Sequence, residues 1–169
     1  MGRAEEGDRR RARYKVAFGV ALLVIFLDQA TKAIIKHTMA LFESFPVVEG
    51  IFNMTRIFNT GAAFGFLGSA NPSIARPLLI SVSVLAIGLL LYTLRQIKGR
   101  VVAASVAIGL ILGGAVGNLI DRIFFGGVVD FLDFHWRGVH WPAFNVADSA
   151  ITIGMILFLL FMPASESKG

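Results

Sequence analysis

Four apolar runs, each about long enough to cross a lipid bilayer, constrain this chain more than any other feature. The runs cover residues 16–35, 77–94, 101–120 and 143–162, and each has 18 to 20 residues. A helix rises about 1.5 Å per residue, so a bilayer core of about 30 Å requires roughly 20 helical residues. The sequence therefore predicts an all-α membrane protein, a four-transmembrane-helix bundle that forms one domain over residues 1–169.

The composition agrees with a chain that lies largely within a lipid bilayer. Hydrophobic residues make up 56% of the sequence and charged residues only 16%, whereas a typical soluble domain has about 25% charged residues. The chain has no cysteine, which excludes disulfides and thiolate metal sites. Nucleic-acid binding is not expected despite the net charge of +5, because no basic stripe with interleaved aromatic residues is present.

The basic residues predict how the helices are oriented. Six of the sixteen precede the first apolar run, and Arg95, Lys98 and Arg100 lie between the second and third runs. Segments rich in lysine and arginine remain on the cytoplasmic side of a membrane. We therefore expect both termini in the cytoplasm. The predicted inner tails are 1–15 and 163–169, and the predicted outer segments are 36–76 and 121–142.

The first outer segment is too long to be a bare loop. Between residues 51 and 59, Phe52, Met54 and Phe58 alternate with polar residues, which is typical of a half-buried strand. We expect a small β-sheet and loop region on the outer membrane surface, continued by residues 61–66. Aromatic residues of an interfacial belt are expected beside it: Phe124, Phe125, Phe134, Trp136 and Trp141.

The third apolar run carries four closely spaced glycines. Gly109, Gly113, Gly114 and Gly117 form overlapping small-xxx-small spacings. Such spacings allow helix backbones to approach closely in a membrane. A phosphate-binding glycine loop is not expected here, since no lysine follows and the run is apolar.

Polar residues within the predicted helices gather near one face of the bilayer. Asp28 lies roughly 10 Å from the outer end of its helix by helical rise. Asn118 and Asp148 also lie near outer helix ends, and Asp130 lies in the second outer segment. A charge in hydrocarbon costs at least about 2.5–3.5 kcal/mol, so such residues are usually functional or paired.

Several of these residues also have a purely structural interpretation. Asp28 and Lys32 are four apart, a spacing that favours an ion pair on a helix. Asn118, Asp121 and Arg122 share one helix face and are equally compatible with a structural network. Both interpretations stay open on spacing alone.

Asp148 is harder to explain structurally, because no lysine or arginine lies within helical reach of it. A carboxyl in that position is a candidate general acid or base. A second carboxylate beside it would let the two share one proton, as in aspartic proteases. Asp121, Asp130 and Asp133 are all candidates for the partner, and spacing does not choose among them.

Other chemistries receive less support. A serine hydrolase would use Ser149 with His135 or His140, but no nucleophile-elbow motif accompanies the serine. The two histidines with Asp130 match no strong zinc spacing. A transporter or channel would need polar residues through the full membrane thickness, and the inner halves of the last three helices carry no charged or amide side chain comparable to those near the outer ends. A non-catalytic binding scaffold would not explain two carboxylates in one place.

Five motifs resemble those of the bacterial lipoprotein signal peptidases, the signal peptidase II family. They occur in the family's order and cover nearly the whole chain, with Val146 at a position where leucine is common. The motifs are Leu-Asp-Gln-Ala-Thr-Lys at 27–32, Asn-Thr-Gly-Ala-Ala-Phe at 59–64, Gly-Gly-Ala-Val-Gly-Asn-Leu-Ile-Asp-Arg at 113–122, Val-Val-Asp-Phe at 128–131 and Phe-Asn-Val-Ala-Asp-Ser at 144–149.

The resemblance implies an intramembrane aspartic endopeptidase. Its substrates would be prolipoproteins that already carry diacylglycerol, cleaved just before the lipidated cysteine. Asp130 and Asp148 would be the catalytic pair, which leaves Asp133 outside it. The residues expected to line the site or hold the substrate are Asn59, Gly61, Asn118, Arg122 and Asn145, and those expected to support it are Asp28, Lys32 and Asp121.

The resemblance also implies a location and a set of partners. The protein would lie in the bacterial cytoplasmic (inner) membrane, with its active site near the periplasmic face. We expect contacts with membrane lipids and the prolipoprotein substrate, a monomeric state, and no cofactor, metal or nucleic acid in the reaction.

Overall fold

A computed structural model of the chain describes residues 2–61, 71–97 and 102–161. Within these ranges, four helices and four strands follow one another along the chain. They are α1 (Gly2–Thr38), β1 (Ser44–Val48), β2 (Phe52–Asn59), α2 (Pro72–Gln96), α3 (Val102–Phe124), β3 (Val128–Trp136), β4 (Val139–His140) and α4 (Val146–Phe161).

Three of the helices are long and apolar enough to cross a membrane. The candidate spans are Glu5–Thr38, Ser73–Gln96 and Val102–Phe124. The apolar helix α4 is shorter within the described residues, with 16, and residue 162 of the predicted run lies outside them. The architecture is therefore mostly helical, with membrane-spanning helices and one small antiparallel sheet.

The helix ends differ from the predicted ones. Helix α1 begins at Gly2 rather than at residue 16, because the basic segment is rich in alanine, glutamate and arginine, which favour helix. Helix α3 ends at Phe124, so Asp121 and Arg122, which were predicted to follow the third helix, lie within it. Helix α2 begins five residues early, where Asn71 Oδ1 accepts a 3.0 Å hydrogen bond from the backbone N–H of Ser73.

Helix α3 packs against the other three helices, and its glycines make this possible. A Cβ atom on Gly113 would lie 2.7 Å from the backbone oxygen of Ala21 in α1. A Cβ atom on Gly114 would lie 2.8 Å from a side-chain carbon of Ile151 in α4. The close packing predicted from the glycine spacing is confirmed.

The four strands form one sheet in the order β1-β2-β3-β4, which confirms the predicted strand near residues 51–59. A bulge interrupts the β2–β3 register between Met54 and Ile57. The simple alternation of sides therefore fails: Thr55 is buried, and Phe58 is exposed. The predicted continuation of the strand beyond Gly61 lies outside the described residues.

Strand β3 joins the sheet to the helices. Val129 and Phe131 of β3 pack with Ile35 and Met39 at the end of α1. The backbone N–H groups of residues 131 and 132 both donate to the Phe144 carbonyl oxygen, at 3.0 and 2.9 Å. The segment that leads into α4 therefore lies beside β3, and this brings the second outer segment to the start of the last helix.

Candidate active site

Asn145 connects Asp130 of β3 with Asp148 of α4. The Asn145 side chain is fully buried, and its Nδ2 donates a 2.7 Å hydrogen bond to Asp130 Oδ1. Its backbone N–H donates to Asp148 Oδ2 at 3.3 Å, while its Oδ1 accepts from the Asp148 N–H at 3.0 Å. Asn145 is thus the N-cap of α4, and the same residue holds both carboxylates.

Each carboxylate accepts a further hydrogen bond from a second asparagine. Asn59 Nδ2 donates to Asp130 Oδ2 at 2.9 Å, and Asn118 Nδ2 donates to Asp148 Oδ1 at 2.8 Å. No lysine or arginine among the described residues lies within ion-pair distance of either carboxylate. Two carboxylates held by neutral donors are able to exchange protons with a substrate.

Burial changes the acidity of Asp130, whose exposed fraction is 3%. Desolvation raises the pKa of its carboxyl to about 6, and the negative charge of Asp148 acts in the same direction. The hydrogen bonds from Asn59 and Asn145 oppose this rise in pKa because they stabilise the ionised form. A carboxyl with a pKa near 6 holds or releases a proton readily close to neutral pH.

Lys32 lies at the centre of a buried network behind Asp148. Its Nζ is 2.8 Å from Asp28 Oδ2 and 2.6 Å from Asp121 Oδ2, so the predicted Asp28–Lys32 ion pair is confirmed. The same Nζ donates to Asn118 Oδ1 at 2.9 Å, which turns the amide group of Asn118 toward Asp148. Lys32 therefore fixes the orientation of a residue that contacts the candidate pair.

Asp28 also reaches α4 directly, since its Oδ1 accepts a 3.0 Å hydrogen bond from the backbone N–H of Ala147. Sequence reasoning did not single out Gln29, whose Nε2 donates to Asp28, to the Gly117 carbonyl and to Asp121 at 3.1–3.4 Å. Its position beside Asp28 in the first motif is the sequence feature that could have identified Gln29 as part of the site. The first motif thus joins α1, α3 and α4.

Arg122 and Gly61 meet at the other side of the site. The Arg122 guanidinium donates to the Asn118 carbonyl at 3.3 Å and to the Gly61 carbonyl at 3.5 Å, and the Gly61 N–H donates to Asn59 Oδ1 at 2.9 Å. Arg76, which was also missed, donates to the Arg122 carbonyl at 2.9 Å. It caps the end of α3 from the start of α2, a contact between segments far apart in sequence that no local pattern reveals.

A cavity of about 420 Å³ opens on the two aspartates. Its polar lining comes from the site described above, while residues 141–144 and α4 provide a largely apolar wall. Trp141, which was expected in an aromatic belt, is one of the residues that line the cavity. The lining residues are Asn59, Asn118, Arg122, Val128, Asp130, Trp141, Pro142, Ala143, Phe144, Asp148, Ser149, Ile151, Thr152 and Ile153.

The structure does not assemble the alternative sites weighed from the sequence. The Ser149 hydroxyl donates to the backbone oxygen of Asn145 at 2.9 Å, whereas His140 Nδ1 lies 2.9 Å from Asp133 Oδ1. A serine–histidine pair is therefore not formed. The two histidines group with Asp133 rather than with Asp130, so the set of two histidines with Asp130, which the sequence already disfavoured, is not formed.

Comparisons with known proteins show the family of this chain. The family described as "Signal peptidase (SPase) II" matches residues 20–163. The lipoprotein signal peptidase of Geobacter sulfurreducens is 46% identical over 155 residues, covering 92% of this chain and 96% of that protein. The lipoprotein signal peptidase of Syntrophus aciditrophicus is 49% identical, covering 86% and 91%.

The fold is also similar to that of a solved protein. A bacterial membrane enzyme determined by the in meso method at 1.9 Å resolution superposes with a TM-score of 0.78 at 33% identity, covering 88% of this chain and 93% of that one. The family match, the curated relatives and the similar fold thus agree. The chain belongs to the signal peptidase II family, the lipoprotein signal peptidases.

Proposed function

We propose that Asp130 and Asp148 are the catalytic pair with which this enzyme removes signal peptides from prolipoproteins. The observation that carries the proposal is the arrangement at Asn145, which donates one hydrogen bond to each carboxylate. Both carboxylates line one cavity with a mostly apolar wall. A diacylglyceryl-modified substrate fits such a cavity, and cleavage would fall just before the lipidated cysteine.

The proposed reaction uses the two carboxyls as an acid–base pair. One ionised aspartate takes a proton from a water molecule, which attacks the scissile carbonyl carbon. The protonated partner donates a hydrogen bond to the carbonyl oxygen and stabilises the tetrahedral intermediate. The intermediate collapses when a proton passes to the leaving amine. The pair supplies every proton transfer, so the scheme requires neither an acyl-enzyme nor a cofactor.

The neighbouring residues position this pair and the substrate. Asn59, Asn118 and Asn145 hold the carboxylates in place through the amide hydrogen bonds described above. Arg122 lines the cavity and donates to the backbone oxygen of Gly61, so both residues could offer polar groups to a peptide backbone. Asp28, Lys32 and Asp121 support the pair from behind, because Lys32 orients Asn118.

We further propose that the chain crosses the bacterial inner membrane four times as a monomer, with both termini in the cytoplasm. The basic segments at the start of α1 and between α2 and α3 support this orientation. The sheet and the catalytic pair would then lie near the periplasmic face. A substrate whose cysteine carries acyl chains would present its cleavage site at that depth.

The test is cleavage of a lipidated prolipoprotein by purified enzyme in detergent or lipid. We expect Asp130→Asn and Asp148→Asn each to lower the cleavage rate by at least about 10²-fold, since positioned acid–base groups contribute about 10²–10⁴-fold. Asp8→Asn, at an exposed position in α1, is the matched control and should cleave at the wild-type rate. Wild-type cleavage by either site variant would show that the pair is wrongly assigned.

A further inference from the structure

A second cluster of chemically active side chains lies on the sheet, and the proposed reaction does not use it. His135 and His140 stand opposite each other in the β3–β4 pairing, and their rings stack with centroids 4.7 Å apart. Asp133 lies two residues before His135, so it shares that face of β3. The nitrogen and oxygen atoms that the three side chains offer as ligands lie within 4.8 Å of one another.

The cluster is distinct from the catalytic pair. Asp130 and Asp133 are three apart on the strand, so their side chains leave β3 on opposite faces. Asp133 makes its contacts with His140, at 2.9 and 3.1 Å, and with Asn53 Nδ2, at 3.3 Å. Asn145 and Asn59 instead hold Asp130. An ion bound at Asp133 would therefore lie outside the reaction proposed above.

One nitrogen in the cluster has no partner of its own. His135 Nδ1 is buried and forms no hydrogen bond among the described residues. Buried polar atoms are nearly always satisfied, so such an atom calls for a ligand or an ordered water. A metal ion is a partner that a neutral imidazole nitrogen commonly takes.

We propose that Asp133, His135 and His140 form a binding site for a divalent transition cation of the Zn²⁺ class. Two imidazoles and one carboxylate are a ligand set that Zn²⁺ takes, with water in the fourth position. Neutral histidines and an ionised aspartate give the set one negative charge, which attracts a cation. The proposal goes beyond the proposed function and does not rest on it.

The geometry requires only a small adjustment to hold the ion. Donor atoms about 2.0–2.2 Å from a tetrahedral Zn²⁺ lie about 3.4 Å from one another. The His140 side chain is 52% exposed, so it has room to move toward the ion. Asn53 already holds the carboxylate of Asp133 from the neighbouring strand, in the manner of the outer partners that orient metal ligands.

The bound ion would stiffen one approach to the active-site cavity. His140 directly precedes Trp141, which lines the cavity and whose backbone N–H donates to the Phe134 carbonyl at 2.7 Å. The strands on either side of the cluster are joined only by the short turn at Arg137 and Gly138, both with positive φ. A metal link between β3 and β4 would hold this turn closed.

The test is a Zn²⁺ titration of the full-length, chelator-treated protein in detergent, followed by calorimetry. We expect one Zn²⁺ per chain and a higher thermal midpoint when it is bound. His140→Gln, at the half-exposed ligand, and Asp133→Asn should each weaken binding by at least about tenfold, because loss of even an outer-shell partner costs 10–100-fold. X-ray absorption of the bound zinc should show two imidazole ligands.

His37→Gln is the matched control, since His37 is the third histidine of the chain and is exposed near the end of α1. This variant should bind Zn²⁺ as the wild type does. Circular dichroism of each variant separates loss of a ligand from loss of fold. The proposal is overturned if the wild type binds no zinc, or if folded His140→Gln and Asp133→Asn bind it as tightly as the wild type. Because the measurement is of binding, its result does not depend on whether Asp130 and Asp148 are catalytic.

Discussion

At the scale of single residues, Asp130, one of the two proposed catalytic aspartates, makes the stability of the folded protein depend on pH. Its carboxyl is buried, and desolvation raises its pKa from the ordinary 3.8 to about 6. The folded protein therefore holds a proton on Asp130 more tightly than the unfolded chain does. The resulting contribution to stability is fully present below the unfolded pKa and is lost as the pH rises through the folded pKa.

This argument predicts how Asp130→Asn changes the pH dependence of unfolding. The variant has no proton to lose, so its free energy of unfolding relative to the wild type should rise between pH 4 and pH 7. A pKa difference of this size corresponds to at most about 3 kcal/mol. Denaturant or thermal unfolding in detergent at several pH values measures the difference.

The exposed Asp8 provides the comparison for this measurement. Asp8→Asn removes an exposed carboxyl of the same type and is measured beside Asp130→Asn at every pH. If the Asp130→Asn difference did not change with pH, Asp130 would ionise in the folded protein as it does in water. The burial argument for its acidity would then fail.

At the scale of helices and strands, the packing of α3 depends on residues without side chains. Gly113 faces α1 so closely that a Cβ atom there would lie 2.7 Å from both the Ala21 oxygen and the Val24 Cβ. Neither neighbour is a flexible chain end, because one is backbone and the other is a branched Cβ. The contact matters for the site, since α1 carries Lys32 and α3 carries Asn118.

We therefore expect Gly113→Ala to destabilise the protein by about 1–3 kcal/mol, the usual cost of overpacking. Gly88→Ala is the matched control, because Gly88 lies within α2 with nothing within 4 Å of a Cβ atom. Alanine favours helix over glycine by up to about 1 kcal/mol, so the control should be no less stable than the wild type. Thermal unfolding in one detergent compares the two. Equal stability of both variants would contradict the close approach of α1 and α3.

These elements also show which parts of the fold the sequence predicts. Length and hydropathy predict the helices, because a bilayer sets both. The helix ends are less predictable, since contacts from distant segments determine them, as with Arg76 at the end of α3. The bulge between Met54 and Ile57 has no local signal in the sequence. The alternation of apolar residues therefore predicted the wrong side of the strand for Thr55 and Phe58.

The candidate site likewise has some residues that the sequence predicts and others that it does not. Asp148 was identified as a candidate because no lysine or arginine lies within helical reach of it. The spacing of Asp28 and Lys32 predicted their ion pair. Spacing did not choose between Asp130 and Asp133, because both lie on one strand and only the face of β3 separates them. The resemblance made that choice, and the hydrogen bond from Asn145 to Asp130 agrees with it.

At the scale of the whole molecule, the number of membrane crossings determines on which side each terminus lies. Three helices have the length and composition of a span, and α4 is apolar but shorter within the described residues. If α4 also crosses, the number of crossings is even and both termini lie on one side. If it does not, the termini lie on opposite sides of the membrane. The location of the two ends therefore shows whether α4 crosses.

The absence of cysteine from the chain allows single cysteines to report this topology without background. We expect Glu49→Cys, in the exposed turn between β1 and β2, to react with a membrane-impermeant maleimide in intact cells. Glu6→Cys and Ser167→Cys should react only after the inner membrane is permeabilised, because the basic N-terminal segment stays inside and four crossings return the chain to the same side. Labelling of Ser167→Cys alone in intact cells, with Glu6→Cys protected, would mean that α4 does not cross. Labelling of both ends with protection of Glu49→Cys would reverse the orientation and place the proposed catalytic pair at the cytoplasmic face, where a substrate translocated across the membrane would not meet it.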